Sequence, residues 1–237
     1  MPASKVLCSL DTSNLTDALD LVKKLSPHVG GFKIGHALTL PNGLEVVRKL
    51  QDVGAHRVFL DLKFHDIPNV IGLAVREACK AQVWMLTLHL SGGPAMIAAA
   101  VEEASSFGDE YAPLLMGVSV LTSLDQHILT DHLGINRSIS EQMASLSQLG
   151  LELGLDGVIS SPEEVLHMRK VLGSRAIIVS PGIRAHDAEK DDQKRVGNAT
   201  DTLSRGADYL VIGRALTTSP DPVATLHEFG LLANFSA

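Results

Sequence analysis

Cysteine is scarce in this chain: only Cys8 and Cys79 occur among 237 residues. Both lie in apolar runs without the spacing of a metal-ligand set, so both are expected to be reduced and buried. Long apolar runs are missing too; none approaches the roughly 20 residues that a membrane helix needs, and no membrane partner is expected. Positive charge is in deficit, with a formal net charge of −7. That argues against a general nucleic-acid binder, which carries a basic face. An anionic small substrate would require a local cluster of lysine and arginine. The ten histidines form no HExxH or comparable pattern, so no metal is expected. His65 beside Asp66 is the nearest approach to a metal pair, and His28, His56, His127, His132, His167 and His227 are expected at the surface. The first residues, Met1 to Val6, enter a strand directly and lack a signal-peptide profile, which makes the cytoplasm the expected compartment.

What is present is an ordinary globular composition, 45% hydrophobic and 20% charged. Short apolar runs alternate with helical patterns in eight rounds. The expected strands are residues 6–10, 31–35, 57–63, 83–89, 114–121, 156–160, 176–180 and 208–212. Between them the pattern predicts helices, the first from Asn14 as N-cap to Leu25 and the second from Pro41 to Val53. Parallel strands joined by helices are the economical reading of such alternation. Eight units at this length predict an α/β fold, a (β/α)8 TIM barrel of about the usual 250 residues, as one domain over residues 1–237. A doubly wound open sheet is the competing architecture. No linker, low-complexity segment or second domain is visible.

Barrel sites form where the C-terminal ends of strands meet their loops. There the chain supplies Asp11, Lys33, Asp61, Lys63, His89, Thr122, Ser123, Pro181, Gly182, Arg184, Gly213 and Arg214. Polar residues collect at strand ends in any case, because loops are solvated, and that bland reading suits Ser160 and His89. It suits Lys33 poorly, since Gly31-Phe-Lys-Ile-Gly35 is too short and apolar to carry an idle lysine. Asp61 and Lys63 are two apart and so share one strand face, an arrangement that costs free energy unless the charges pair or act. Gly213-Arg214 after the last strand and Pro181-Gly182 after the seventh occupy the usual phosphate position of barrels. The polar stretch from Arg184 to Arg195, between these two, reads as a closing loop; His186 within it has no assigned task.

The run Asp61-Leu-Lys-Phe-His-Asp66-Ile67-Pro68-Asn69 resembles the DxKxxDIPN signature of the orotidine 5′-phosphate decarboxylase family. Matching motifs follow in the family's order from about residue 5 to residue 222, including Phe32-Lys33-Ile-Gly, His89-Leu-Ser-Gly-Gly and Val211-Ile-Gly213-Arg214. The resemblance implies decarboxylation of orotidine 5′-monophosphate to UMP without metal or cofactor. It implies that Lys63 protonates C6 of the pyrimidine, that Asp61 lies beside the departing carboxylate, and that Lys33 and Asp66 complete a charge array. It further implies a homodimer with shared active sites, Asp66 reaching the partner's site together with Ile67 and Val70. Asp11 and Lys33 would hold the ribose, Thr122 and Ser123 the pyrimidine edge. Arg184, Gln193, Gly213 and Arg214 would hold the phosphate, and Pro181 would be a further substrate contact. One departure stands out: Val70 occupies a position where the family usually has threonine, at the loss of one hydroxyl. The sequence also admits two rivals, a magnesium-dependent decarboxylase or aldolase acting on keto-sugar phosphates, and a catalytically silent nucleotide-binding barrel.

Overall fold

Parity along eight short strands decides which side chains face the barrel axis and which face the helices. The computed structural model describes residues 2–183 and 197–232. Its strands are β1 (Val6–Ser9), β2 (Gly31–Ile34), β3 (Val58–Phe64), β4 (Met85–His89), β5 (Leu114–Val118), β6 (Gly157–Ile159), β7 (Ile177–Ser180) and β8 (Tyr209–Ile212). All pair in parallel in sequence order, and β8 closes on β1, so the sheet is a closed eight-stranded barrel. The (β/α)8 architecture expected from the alternation is therefore the one observed.

Within the barrel, Leu7, Phe59, Met85, Met116, Val179 and Val211 form one buried cluster. Their neighbours along the strands, among them Val6, Cys8, Val58, Leu60, Leu86, Leu210 and Ile212, belong to the larger layer beneath the helices. Successive strand residues point to opposite faces, so each inward position lies two from the next. That rule carries Leu7 to Ser9, Phe59 to Asp61 and Met85 to Thr87, which leads the inward set from the apolar plug to the polar mouth. Full burial of a side chain such as Phe59 stabilises by about 1.5–3 kcal/mol. Gly157 is required where it stands, because a Cβ there would collide with the Ile177 carbonyl oxygen.

Opposite the mouth the barrel is closed by polar contacts. Trp84 meets Tyr209 edge-on, with ring centroids 5.3 Å apart, and Arg57 lies over the Trp84 ring. Arg169 donates to the carbonyls of Gly173, Ala176 and Gly206 and to the carboxylate of Asp208. Asp208 in turn accepts from the Ile178 amide, tying a helix to the starts of two strands.

Helices cover the outside: α1 (Leu15–Leu25), α2 (His36–Asn42), α3 (Glu45–Asp52), α4 (Pro68–Lys80), α5 (Pro94–Ser105), α6 (Ile139–Glu152), α7 (Val165–Leu172), α8 (Ala199–Ser204), α9 (Arg214–Thr217) and α10 (Pro222–Glu228). Asn14 caps α1 as expected, its side chain accepting from the Thr16 and Asp17 amides. The single helix expected from Pro41 to Val53 is in fact two. Pro41 sits inside α2, and Gly43 ends that helix in the left-handed region, at φ 64°, with its amide bonded to the Thr39 carbonyl. A chain reversal of that kind favours glycine and stops the helix before α3 begins. The fifth strand is also shorter than expected, ending at Val118, because pairing with β6 spans only Met116 to Val118. Cys8 and Cys79 are both free and buried. Among the described residues no helix is long and apolar enough to cross a membrane.

Candidate active site

At the C-terminal mouth of the barrel lies a cavity of about 670 Å³, within the range of small-ligand sites. Its floor is apolar, with Phe59, Val118, Ile159 and Val179 from four strands. Its wall carries four alternating charges in a row. The Lys33 ammonium lies 3.2 Å from Asp11 Oδ1 and 3.5 Å from Asp61 Oδ2, and the Lys63 ammonium lies 2.8 Å from Asp61 Oδ1. Strand parity accounts for Lys33 and Asp61, each of which continues the inward set of its strand.

Lys63 needs a further device. β3 pairs with β4 as Leu60 with Leu86 and next as Phe64 with Leu88, so four steps on one strand are matched by two on the other. The excess backbone is absorbed by a bulge in which Lys63 adopts φ 51°. A non-glycine residue in the left-handed region costs about 1–2 kcal/mol, and lysine has no local hydrogen bond of its own to offset it. Thr87 supplies that bond, its Oγ1 accepting from the Lys63 amide at 2.9 Å and donating to Asp61 Oδ1 at 2.9 Å.

Burial by itself pushes the Asp61 carboxyl upward. The charges of Lys33 and Lys63, with hydrogen bonds from Lys63 and Thr87, outweigh it and hold the group below the ordinary carboxylate range. His89 is half-buried on β4, its ring 5.2 Å from that of His65. Burial, with His65 and Lys63 nearby, holds its imidazole below the ordinary value. Among the described residues there is no group of three or more His, Cys, Asp or Glu able to hold a metal ion.

Of the residues expected at the site, Asp11, Lys33, Asp61, Lys63, Thr122, Pro181, Gly182, Gly213 and Arg214 all line this one cavity. Gly182 takes φ 86°, a conformation that lets the backbone turn at the edge where Gly213 and Arg214 open α9. Other expected residues stand apart from the cavity within a single chain. Asp66 is exposed, and its carboxylate accepts from the next amide, that of Ile67, at 2.7 Å. Ile67 and Val70 face solvent, 65% and 40% exposed, and Ser123 is exposed one residue beyond Thr122. Arg184, Gln193 and the expected closing loop lie outside the described residues. Of the residues that the sequence reading did not single out, two hydrogen-bond directly to the charge row. One is Thr87; the other is Ser9, buried on β1, whose hydroxyl donates to Asp11 Oδ2 at 2.8 Å. The signal for both was a hydroxyl residue at an inward strand position two residues from a charged or polar strand end.

Residues 4–229 match the model of the orotidine 5′-phosphate decarboxylase / HUMPS family. The chain belongs to this family. Among curated members, the orotidine 5′-phosphate decarboxylase of Moorella thermoacetica is 43% identical over 223 residues, 93% of this chain and 88% of the relative. That of Pseudoalteromonas translucida is 43% identical over 224 residues, 94% of each chain. The crystal structure of orotidine 5′-phosphate decarboxylase from Lactobacillus acidophilus superposes with a TM-score of 0.82 at 30% identity, over 95% of this chain and 96% of that one.

Proposed function

We propose that this chain, a carboxy-lyase of the orotidine 5′-phosphate decarboxylase family, converts orotidine 5′-monophosphate to UMP and CO2 directly, with no metal or cofactor. That reaction would make it the last enzyme of UMP synthesis. The observation that carries the reading is the row Asp11–Lys33–Asp61–Lys63 on the wall of a cavity that Gly213 and Arg214 also line, next to the Asp11 end of the row. Loss of CO2 from C6 leaves an electron pair in an sp² orbital that no neighbouring group can delocalise. The Lys63 ammonium stabilises that pair as it forms and then gives its proton to C6, while water restores the lysine. Asp61 stays ionised between two lysines and stands against the substrate carboxylate, a repulsion that is relieved as CO2 leaves.

Asp11 and Lys33 hold the ribose hydroxyls and Thr122 the pyrimidine edge. Arg214 and the amides near Gly182 and Gly213 take the phosphate, with Arg184 and Gln193 the expected further contacts. Phosphate binding far from C6 then serves the transition state by closing and drying the site. The active unit is a homodimer in which Asp66 completes the partner's charge row. Support for this comes from Asp66 and the exposed apolar residues Ile67, Val70 and Leu73, which follow one another at the start of α4. The expected compartment is the cytoplasm.

Lys33 and Ile67-Pro68-Asn69 separate this reading from the magnesium-dependent keto-sugar phosphate enzymes. The test is the ultraviolet absorbance change on adding orotidine 5′-monophosphate to protein treated with EDTA. Turnover that survives EDTA is expected. Activity lost to EDTA and rescued by Mg²⁺, or no turnover by folded protein, would refute the assignment.

A further inference from the structure

We infer that Thr87 is a positioning residue for the reaction: one buried hydroxyl sets the geometry of both Asp61 and Lys63. The inference rests on the roles given to those two groups above. Thr87 is 1% exposed and lies on the inward face of β4, two residues from Met85. The bulge in β3 takes the Lys63 amide out of the regular ladder with β4, and Thr87 Oγ1 accepts it instead. A hydroxyl has one hydrogen to give and two lone pairs to receive with. An ionised carboxylate can only accept, so the hydroxyl hydrogen points to Asp61 Oδ1 and the Lys63 amide points to a lone pair. The same Oδ1 also receives the Lys63 ammonium at 2.8 Å. Backbone, carboxylate and ammonium therefore meet in one closed ring of three hydrogen bonds, and Thr87 is the member that neither binds substrate nor carries charge. An inward hydrophobe of similar size would fill the space but would not close the ring, which needs a donor and an acceptor on one side chain.

Thr87→Val keeps the volume and removes both bonds. The Lys63 amide is then left without its partner, the bulge loses the contact that holds φ positive, and the ammonium drifts from its place under C6. Misplacing a catalytic group by about an ångström costs on the order of 100-fold, so kcat should fall roughly 10- to 100-fold. KM should stay near the wild-type value, because the ribose and phosphate contacts lie on β2 and just beyond the ends of β1, β7 and β8. The acidic limb of kcat should also move to higher pH. Asp61 faces Lys33 from β2, Lys63 from its own strand, and Thr87 and the half-buried His89 from β4, with Asp11 beyond Lys33. Removing the Thr87 donor weakens what keeps Asp61 ionised.

The experiment compares wild type, Thr87→Val and Thr87→Ser in steady-state turnover across pH, with amide hydrogen exchange at Lys63 measured by NMR on the ligand-free proteins. Expected are a kcat loss and a shifted acidic limb in Thr87→Val, recovery of both in Thr87→Ser, and faster exchange at Lys63 in the valine protein alone. Should the valine protein not fold, Thr87→Ala carries the same comparison. Wild-type kcat and acidic limb in the hydroxyl-free variant, or a serine protein as impaired as it, would overturn the inference. If wild type itself does not turn over orotidine 5′-monophosphate, the functional reading fails separately. The exchange rate at Lys63 then decides the positioning role, and unchanged exchange without the hydroxyl overturns it.

Discussion

Replacing Asp61 by asparagine tests the electrostatics of the site without changing its shape. The Asp61 side chain is 14% exposed and stands between two ammonium groups at 3.5 and 2.8 Å. Breaking a fully buried ion pair by removing one partner costs about 3–5 kcal/mol. Here Lys33 keeps Asp11 at 3.2 Å, and the Lys63 side chain is 34% exposed at an open mouth. Water and the surviving partner reduce the loss to about 1–3 kcal/mol at neutral pH. For a chain of this length that corresponds to a fall in Tm of roughly 3–10 °C. The pH dependence fixes the cause. The folded-state pKa of Asp61 is depressed, so its stabilisation is fully present above the unfolded value near pH 4 and is lost as pH falls toward the folded value. Asparagine does not titrate. The gap between wild type and Asp61→Asn should therefore hold from pH 7 to about 4 and shrink below it, by up to about 1.4 kcal/mol per pH unit. Circular-dichroism melts at fixed protein concentration from pH 7 to 3 measure this. A variant as stable as wild type at pH 7, or a gap that stays constant or widens below pH 4, would refute the charge-row account.

Arg214→Ala should raise KM for orotidine 5′-monophosphate by about 100-fold, the loss of a forked charged contact to phosphate, and should barely affect binding of the free nucleoside. An equal loss for nucleotide and nucleoside would remove phosphate from the role of this residue. Asp66→Ala and Lys63→Ala proteins, each inactive alone, should recover part of the activity when mixed, because a hybrid dimer holds one intact site. If mass spectrometry shows exchanged subunits and no turnover returns, Asp66 does not act across an interface.

The barrel was legible because its strands are short apolar runs at regular spacing, and the site because Lys33, Asp61 and Lys63 are expensive residues at the ends of such runs. Other features were hidden for identifiable reasons. Proline usually opens helices, so Pro41 read as a start; it instead lies within α2, and Gly43 makes the break. The bulge of β3 left no trace in the residue pattern. Asp61 and Lys63 would share a face in a regular strand, and the structure brings them together by a different backbone path. Ser9 and Thr87 were overlooked because small hydroxyl residues are ordinary in strands; their importance depends on what stands opposite. Asp66 is the reverse case: its motif announced a role, while among the described residues of one chain its carboxylate accepts from the neighbouring amide.

The central claim is that Lys63 performs the proton transfer in a site that needs no metal. The most direct measurement follows the absorbance of orotidine 5′-monophosphate with EDTA-treated wild type and Lys63→Ala, with UMP affinity determined for both by calorimetry. The account predicts turnover by wild type, no detectable turnover by Lys63→Ala, and UMP affinities within about tenfold of each other, since the lysine acts mainly on the transition state. A Lys63→Ala protein that still decarboxylates the nucleotide at a near-normal rate would contradict it.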